Sequence, residues 1–115
     1  MIEGWITQLR KGLLEYCVLL TLRRGESYGY EIVQALKRIE ELSVSESTVY
    51  PILGRLREEG FLKSRDKPSD AGPPRRYFSL TPTGKIRLAE MNAYWPMLAK
   101  SLEQLKTGKG KEAGA

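Results

Sequence analysis

The chain has 115 residues, 41% hydrophobic and 29% charged, with a net charge of +5, which suits one soluble domain and favours an anionic partner without naming it. It has no histidine and one cysteine, Cys17, so a nucleophile activated by histidine is excluded, a common zinc site lacks its ligands, and a reducing cytoplasm is the expected compartment. No apolar run reaches the ~18–20 residues of a membrane span, and the acidic, Trp5-bearing N-terminus is unlike a signal peptide.

The spacing predicts a first helix with two apolar stripes, Ile6, Leu9, Leu13, Cys17 and Leu20 on one and Leu14, Val18 and Leu22 on the other. A helix apolar on two sides is covered on two sides, by its own domain and by a partner chain. Arg23-Arg24-Gly25 is the expected end. Ser27 is the expected cap of a second helix with Ile32, Val33, Leu36 and Ile39 turned inward, and Gly29 in its first turn marks a close approach by another backbone.

A third helix is predicted from Ser45, its N-cap, to Gly60, which stops it. Val49, Ile52, Leu53 and Leu56 make its apolar stripe. Ser47, Thr48, Pro51 and Arg55 lie opposite, flanked by Tyr50 and Gly54. The register carries the helix through Pro51 at the cost of a local bend. That outward face is small, hydroxylated and basic, as suits a helix approaching base edges and phosphates in a major groove.

Phe61–Arg65 and Arg76–Leu80 are predicted as two short strands joined by an exposed loop, Asp66 to Arg75, with three prolines. Arg65, Lys67, Arg75 and Arg76 stud this hairpin, and helix followed by basic hairpin is the outline of a winged helix-turn-helix. Charge follows the same division: residues 1–44 carry six basic and six acidic side chains, 45–80 seven and five, and 81–115 six and three.

Thr81-Pro82 opens a last helix. In it Leu88, Met91, Trp95, Leu98, Leu102 and Leu105 alternate in steps of three and four, the pattern of a helix lying along another helix. Pro96 is expected to kink it. The Gly/Lys-rich tail, residues 107–115, is expected to be disordered. The expected class is mainly α, an α+β winged helix-turn-helix with a three-helix core and a two-stranded wing. Residues 1–80 form a DNA-binding domain and 81–106 a dimerisation helix.

Y-G-Y-E-I at Tyr28–Ile32, S-T-V-Y-P-I-L-G-R-L-R-E-E-G-F-L at Ser47–Leu62 and R-R-Y-F-S-L-T-P-T-G at Arg75–Gly84 together resemble the PadR-like transcriptional regulators, over about residues 9 to 106. The resemblance is to the small members with one C-terminal helix. It implies a homodimeric repressor; two copies of the third helix in successive major grooves would then read a palindromic operator, and with no histidine, glycine-rich phosphate cradle or metal constellation no enzyme or cofactor is expected. Its C-terminal helix would pack on the partner's N-terminal helix through Leu9, Leu13, Leu88, Met91, Trp95, Leu98, Leu102 and Leu105. Ser47, Thr48, Tyr50, Pro51, Arg55, Arg65, Lys67, Arg75, Arg76 and Tyr77 would form the DNA surface. In some small members a tryptophan at the position of Trp95 stacks on planar aromatic compounds, although an aromatic in such a seam also serves as plain interface core, and Pro96 departs from the expected helix. A module that binds protein partners and does not read DNA is the alternative.

Overall fold

The computed structural model describes residues 2–108. Its elements are α1 (Ile2–Thr21), β1 (Ser27–Tyr28), α2 (Gly29–Lys37), a 3-10 turn (Glu40–Leu42), α3 (Glu46–Glu58), β2 (Leu62–Ser69), β3 (Gly72–Leu80) and α4 (Pro82–Thr107). The second stripe of α1 enters the core, where Leu14, Val18 and Leu22 are joined by Cys17 and Leu19. Ile32, Val33 and Leu36 of α2 and Val49, Leu53 and Leu56 of α3 meet them there. Ile39 does not follow, being 51% exposed. Because α2 stops at Lys37, the helical register that would have turned Ile39 inward no longer applies.

Tyr28, rather than Ser27, is the N-cap of α2. Ser27 and Tyr28 form a short strand, which adds a third member to the wing in the order β1-β3-β2, all antiparallel. Glu31 secures this start, its carboxylate accepting from Ser27 Oγ and from the Tyr28 N–H, both at 3.1 Å. Ser45 is the N-cap of α3, and the helix continues through Pro51 to Glu58. Gly60 then reverses the chain with a left-handed φ of 85°.

The hairpin is longer than the sequence predicts, because most of the expected loop is paired. Lys67 lies opposite Arg75 and Ser69 opposite Gly72, leaving Asp70 and Ala71 as the turn. The prolines are tolerated because none removes a needed hydrogen bond. Pro68 sits at an irregularity on β2, an edge strand, and Pro73 and Pro74 precede the part of β3 that β1 covers.

Thr81 caps α4, accepting from the Gly84 N–H at 3.0 Å and donating to the Gly60 carbonyl at 2.6 Å. The Thr81 N–H donates to the Phe61 carbonyl. Gly84 rides directly over that carbonyl, so a Cβ there would lie 2.0 Å from the Phe61 oxygen. Leu88, expected in the dimer seam, is buried in the chain's own core, and Met91 packs against it. Beyond them Tyr16 donates to Asn92 Oδ1 at 2.6 Å and Arg87 donates to Glu15 at 2.9 Å. The 26-residue α4 passes Pro96 without interruption and ends at Gly108, so helix replaces the start of the expected tail at Thr107; residues 109–115 lie outside the described residues. The protruding helix gives a radius of gyration of 17.2 Å, against about 13 Å for a compact chain of some 100 residues.

Candidate nucleic-acid interface

The N-terminal turn of α3 carries a hydroxyl cluster. Ser45 Oγ lies 2.9 Å from Ser47 Oγ and 3.0 Å from Thr48 Oγ1. Ser45 therefore bonds its neighbours' hydroxyls and makes no side-chain cap on the helix amides. Ser47, Tyr50 and Pro51 are exposed and Thr48 half-buried. The positive end of the helix dipole lies at this turn, where an anion is favoured.

Tyr50 stands on the side of α3 facing α2. Its ring lies over Gly29, where a Cβ would come 2.5 Å from Tyr50 Cε1. The close approach expected at Gly29 is thus made by a side chain rather than a backbone, and it joins the Y-G-Y and S-T-V-Y-P segments. Burial raises the Tyr50 pKa, with smaller contributions from Glu46 and Tyr28, so the phenol stays neutral and able to donate.

Across from α3 the wing presents two faces. Register puts Arg65, Lys67, Arg75 and Tyr77 on one and Asp66 and Arg76 on the other. Glu26 lies under the first, taking hydrogen bonds from Arg65 at 2.9 and 2.6 Å and an ion pair from Lys67. The Arg65 guanidinium, followed by Lys67, depresses the Glu26 carboxyl to about 2. The Lys67 ammonium also stands 4.4 Å from the centroid of Tyr77, and the Arg75 guanidinium 4.6 Å from that of Tyr28. On the opposite face Arg76 pairs with Asp66 at 3.3 Å.

Between α3 and the wing lies a cleft of about 420 Å³ lined by Tyr30, Tyr50, Gly54, Arg57, Arg75 and Arg76, among others. Arg57 was not expected here. Tyr50, Gly54 and Arg57 stand at i, i+4 and i+7 on one helix stripe, and that spacing is the signal that would have found it.

Arg55 is placed elsewhere. Its guanidinium donates to Glu59 at 2.9 Å and to Glu15 of α1 at 3.2 Å, and these carboxylates, Glu59 first, raise its pKa. Glu15 also accepts from Arg87 of α4, so Arg55 belongs to a junction of three helices and not to the cleft.

Away from this surface, the N-terminal part of the outer stripe of α1 and the distal part of α4 are exposed, while Cys17 of that stripe lies in the core and Leu20 packs against it. Leu9 is 48% exposed, Leu102 51% and Leu105 81%, with Leu13 and Leu98 half-buried. Trp95 is 40% exposed, its ring 6.4 Å from that of Tyr16 and tilted by 38°. No helix among the described residues is long and apolar enough to cross a membrane.

Residues 18–90 match the transcriptional regulator PadR-like family. The chain belongs to that family. The negative transcriptional regulator PadR of Bacillus subtilis (strain 168) is 36% identical to this PadR-like chain over 80 residues, 66% of this chain and 43% of that protein. The chain thus spans less than half the length of that relative. A PadR family transcriptional regulator from Eggerthella lenta DSM 2243 superposes with a TM-score of 0.81 at 31% identity, covering 90% of each chain. Bacillus subtilis PadR, solved in complex with operator DNA, superposes with a TM-score of 0.65 at 32% identity, over 69% of this chain and 46% of that one.

Proposed function

We propose that this PadR-like chain is a sequence-specific DNA-binding repressor, acting in the cytoplasm as a homodimer on a palindromic operator. The observation that carries the reading is the cleft in which Tyr50 and Arg57 of α3 face Arg75 and Arg76 of the wing, with the Ser47 and Thr48 hydroxyls clustered on Ser45 at the N-terminal turn of the same helix. A rail of cations and phenols flanking a helix N-terminus is chemistry for a phosphate backbone, with hydroxyls placed to meet base edges. The Bacillus subtilis relative, solved with operator DNA, supports the same assignment. In this reading Ser47 and Thr48 contact bases, Tyr50, Pro51 and Tyr77 shape the surface, and Arg65, Lys67, Arg75 and Arg76 grip phosphates.

The exposed apolar residues at the N-terminal part of α1 and along the distal part of α4 support the dimer. Leu9 and Leu13 of one protomer would receive Leu98, Leu102 and Leu105 of its partner, flanked by Trp95. We assign a planar aromatic effector to Trp95, whose half-exposed ring beside Tyr16 offers an unstacked surface. A planar dye should quench tryptophan emission saturably, and Trp95→Ala should abolish most of that effect; unchanged wild-type emission would leave Trp95 as interface core.

Selection from a random duplex pool tests the central claim. The expected product is an inverted repeat with half-sites one helical turn, about 34 Å, apart. Arg75→Ala with Arg76→Ala should weaken binding to all duplexes and reduce the salt slope by about two, one per lost phosphate contact. Thr48→Ala should change the preferred sequence. A chain that enriches no sequence would favour the protein-binding module instead.

A further inference from the structure

Arg10 of α1 is held in a way that neither DNA contact nor dimerisation explains. Its guanidinium donates to three backbone carbonyls of the segment between α2 and α3: Nε to Glu41 at 2.8 Å, Nη2 to Glu40 at 3.1 Å and Nη1 to Ser43 at 3.4 Å. Glu40 and Glu41 belong to the 3-10 turn, and Ser43 is its C-cap. The Glu40 carbonyl already accepts from the Ser43 N–H that closes the turn, and Arg10 adds a second donor there while holding the Glu41 and Ser43 carbonyls at the end of the turn, where helical partners run out. A planar guanidinium with five donors can engage several of them together, which an ammonium cannot match in geometry.

The segment needs such a fixture. Among its side chains Leu42 and Val44 are only partly buried against the core, and two residues after Ser43 comes Ser45, the N-cap of α3. The body of α3 is fixed independently by Val49, Leu53 and Leu56, which are at most 1% exposed. What Arg10 fixes is therefore the lead-in to α3, which ends at Ser45, whose hydroxyl bonds those of Ser47 and Thr48.

We propose that Arg10 is a positioning residue for DNA reading: it clamps the turn of the helix-turn-helix from α1 and so sets the aim of the α3 N-terminus. The inference rests on the DNA-reading function proposed above. Two of its three hydrogen bonds are solvent-exposed, so water can replace them and the fold survives their loss. Specific binding then falls because only a fraction of molecules present the turn correctly, and apparent affinity scales with that fraction.

The test compares Arg10→Met and Arg10→Lys with wild type on the selected palindrome and on a scrambled duplex. Both variants should bind the palindrome about tenfold more weakly if the competent turn drops to about a tenth of the population, with melting temperature, scrambled-duplex affinity and salt slope retained. Rescue by Arg10→Lys, or a shallower salt slope in Arg10→Met, would make Arg10 a phosphate contact and overturn the proposal. A melting temperature that falls in step with affinity would make it a residue of general stability and would overturn the proposal equally. Hydrogen exchange decides without DNA: amides from Ser43 to Val49 should exchange faster in both variants while those of the α1 core do not, and unchanged exchange would overturn the clamp. A wild-type chain that selected no duplex would refute the DNA reading itself, leaving exchange to decide whether Arg10 holds the turn.

Discussion

Replacing Gly84 by alanine should destabilise the protein even though it sits in a helix, where alanine is intrinsically the better residue by about 0.5–1 kcal/mol. The added Cβ would stand 2.0 Å from the Phe61 carbonyl oxygen and 3.0 Å from its carbon. The obstructing atoms are backbone, so no rotamer change relieves the overlap, and α4 must lift off the α3–β2 junction by more than an ångström. That movement pulls on the Thr81 N–H to Phe61 bond and on the Thr81 hydroxyl that spans Gly60 and Gly84. Overpacking costs about 1–3 kcal/mol and a lost N-cap about 1 kcal/mol. Against the propensity gain, a net loss of about 2–3 kcal/mol is expected. For a chain this size the melting temperature should fall by roughly 10 °C, compared at one protein concentration so that the proposed dimer, by mass action, does not bias the comparison. Gly12→Ala is the control, since no atom lies within 4 Å of its added Cβ in α1, and it should stabilise by about 0.5–1 kcal/mol. Urea denaturation of both variants reads the difference. A Gly84→Ala midpoint equal to or above wild type would refute the argument from close approach.

At Gly29 the obstruction is the free end of the Tyr50 ring, so Gly29→Ala should cost little stability but displace the ring. Its loss of operator affinity should match that of Tyr50→Ala, and the double variant should lose no more than either; additive losses would uncouple the two residues. Glu26→Gln should free Arg65 and Lys67 from a shared carboxylate, raising affinity for any duplex and steepening the salt slope, and an unchanged slope would place those cations away from DNA. Because the Glu26 carboxyl is held down at about 2 in the folded state, its contribution to stability is complete above the ordinary carboxylate range and lost as pH falls toward 2. The stability gap between wild type and Glu26→Gln should therefore close over that window in acid titrations followed by circular dichroism. Leu98→Glu with Leu102→Glu should give a folded monomer by sedimentation at micromolar concentration, since both positions lie beyond the chain's own core; a persisting dimer would move the interface elsewhere.

The order of helices, the third helix with its polar face and the basic hairpin were legible in the sequence because each depends on local periodicity. The stripe Val49, Leu53 and Leu56 has one face to bury wherever the helix sits, and Thr81-Pro82 starts a helix whatever follows. Residues far apart in the chain decided the rest. Prolines read as a loop proved to be strand, because β1 covers only the base of β3 and the edge positions need no N–H. Helix periodicity gave the face on which Arg55 lies but not its partner, Glu15, which the fold brings from forty residues away. Leu88 belonged to the seam by spacing yet to the core by packing, since periodicity gives a side chain's direction and not what stands opposite. The same limit hid Arg10, whose carbonyl partners carry no side-chain signature and become acceptors only when α1 crosses the turn. Sequence determined the elements and their apolar faces, which are set within a few residues; tertiary structure alone decided which carboxylate each cation meets, because those partners lie far apart in the chain.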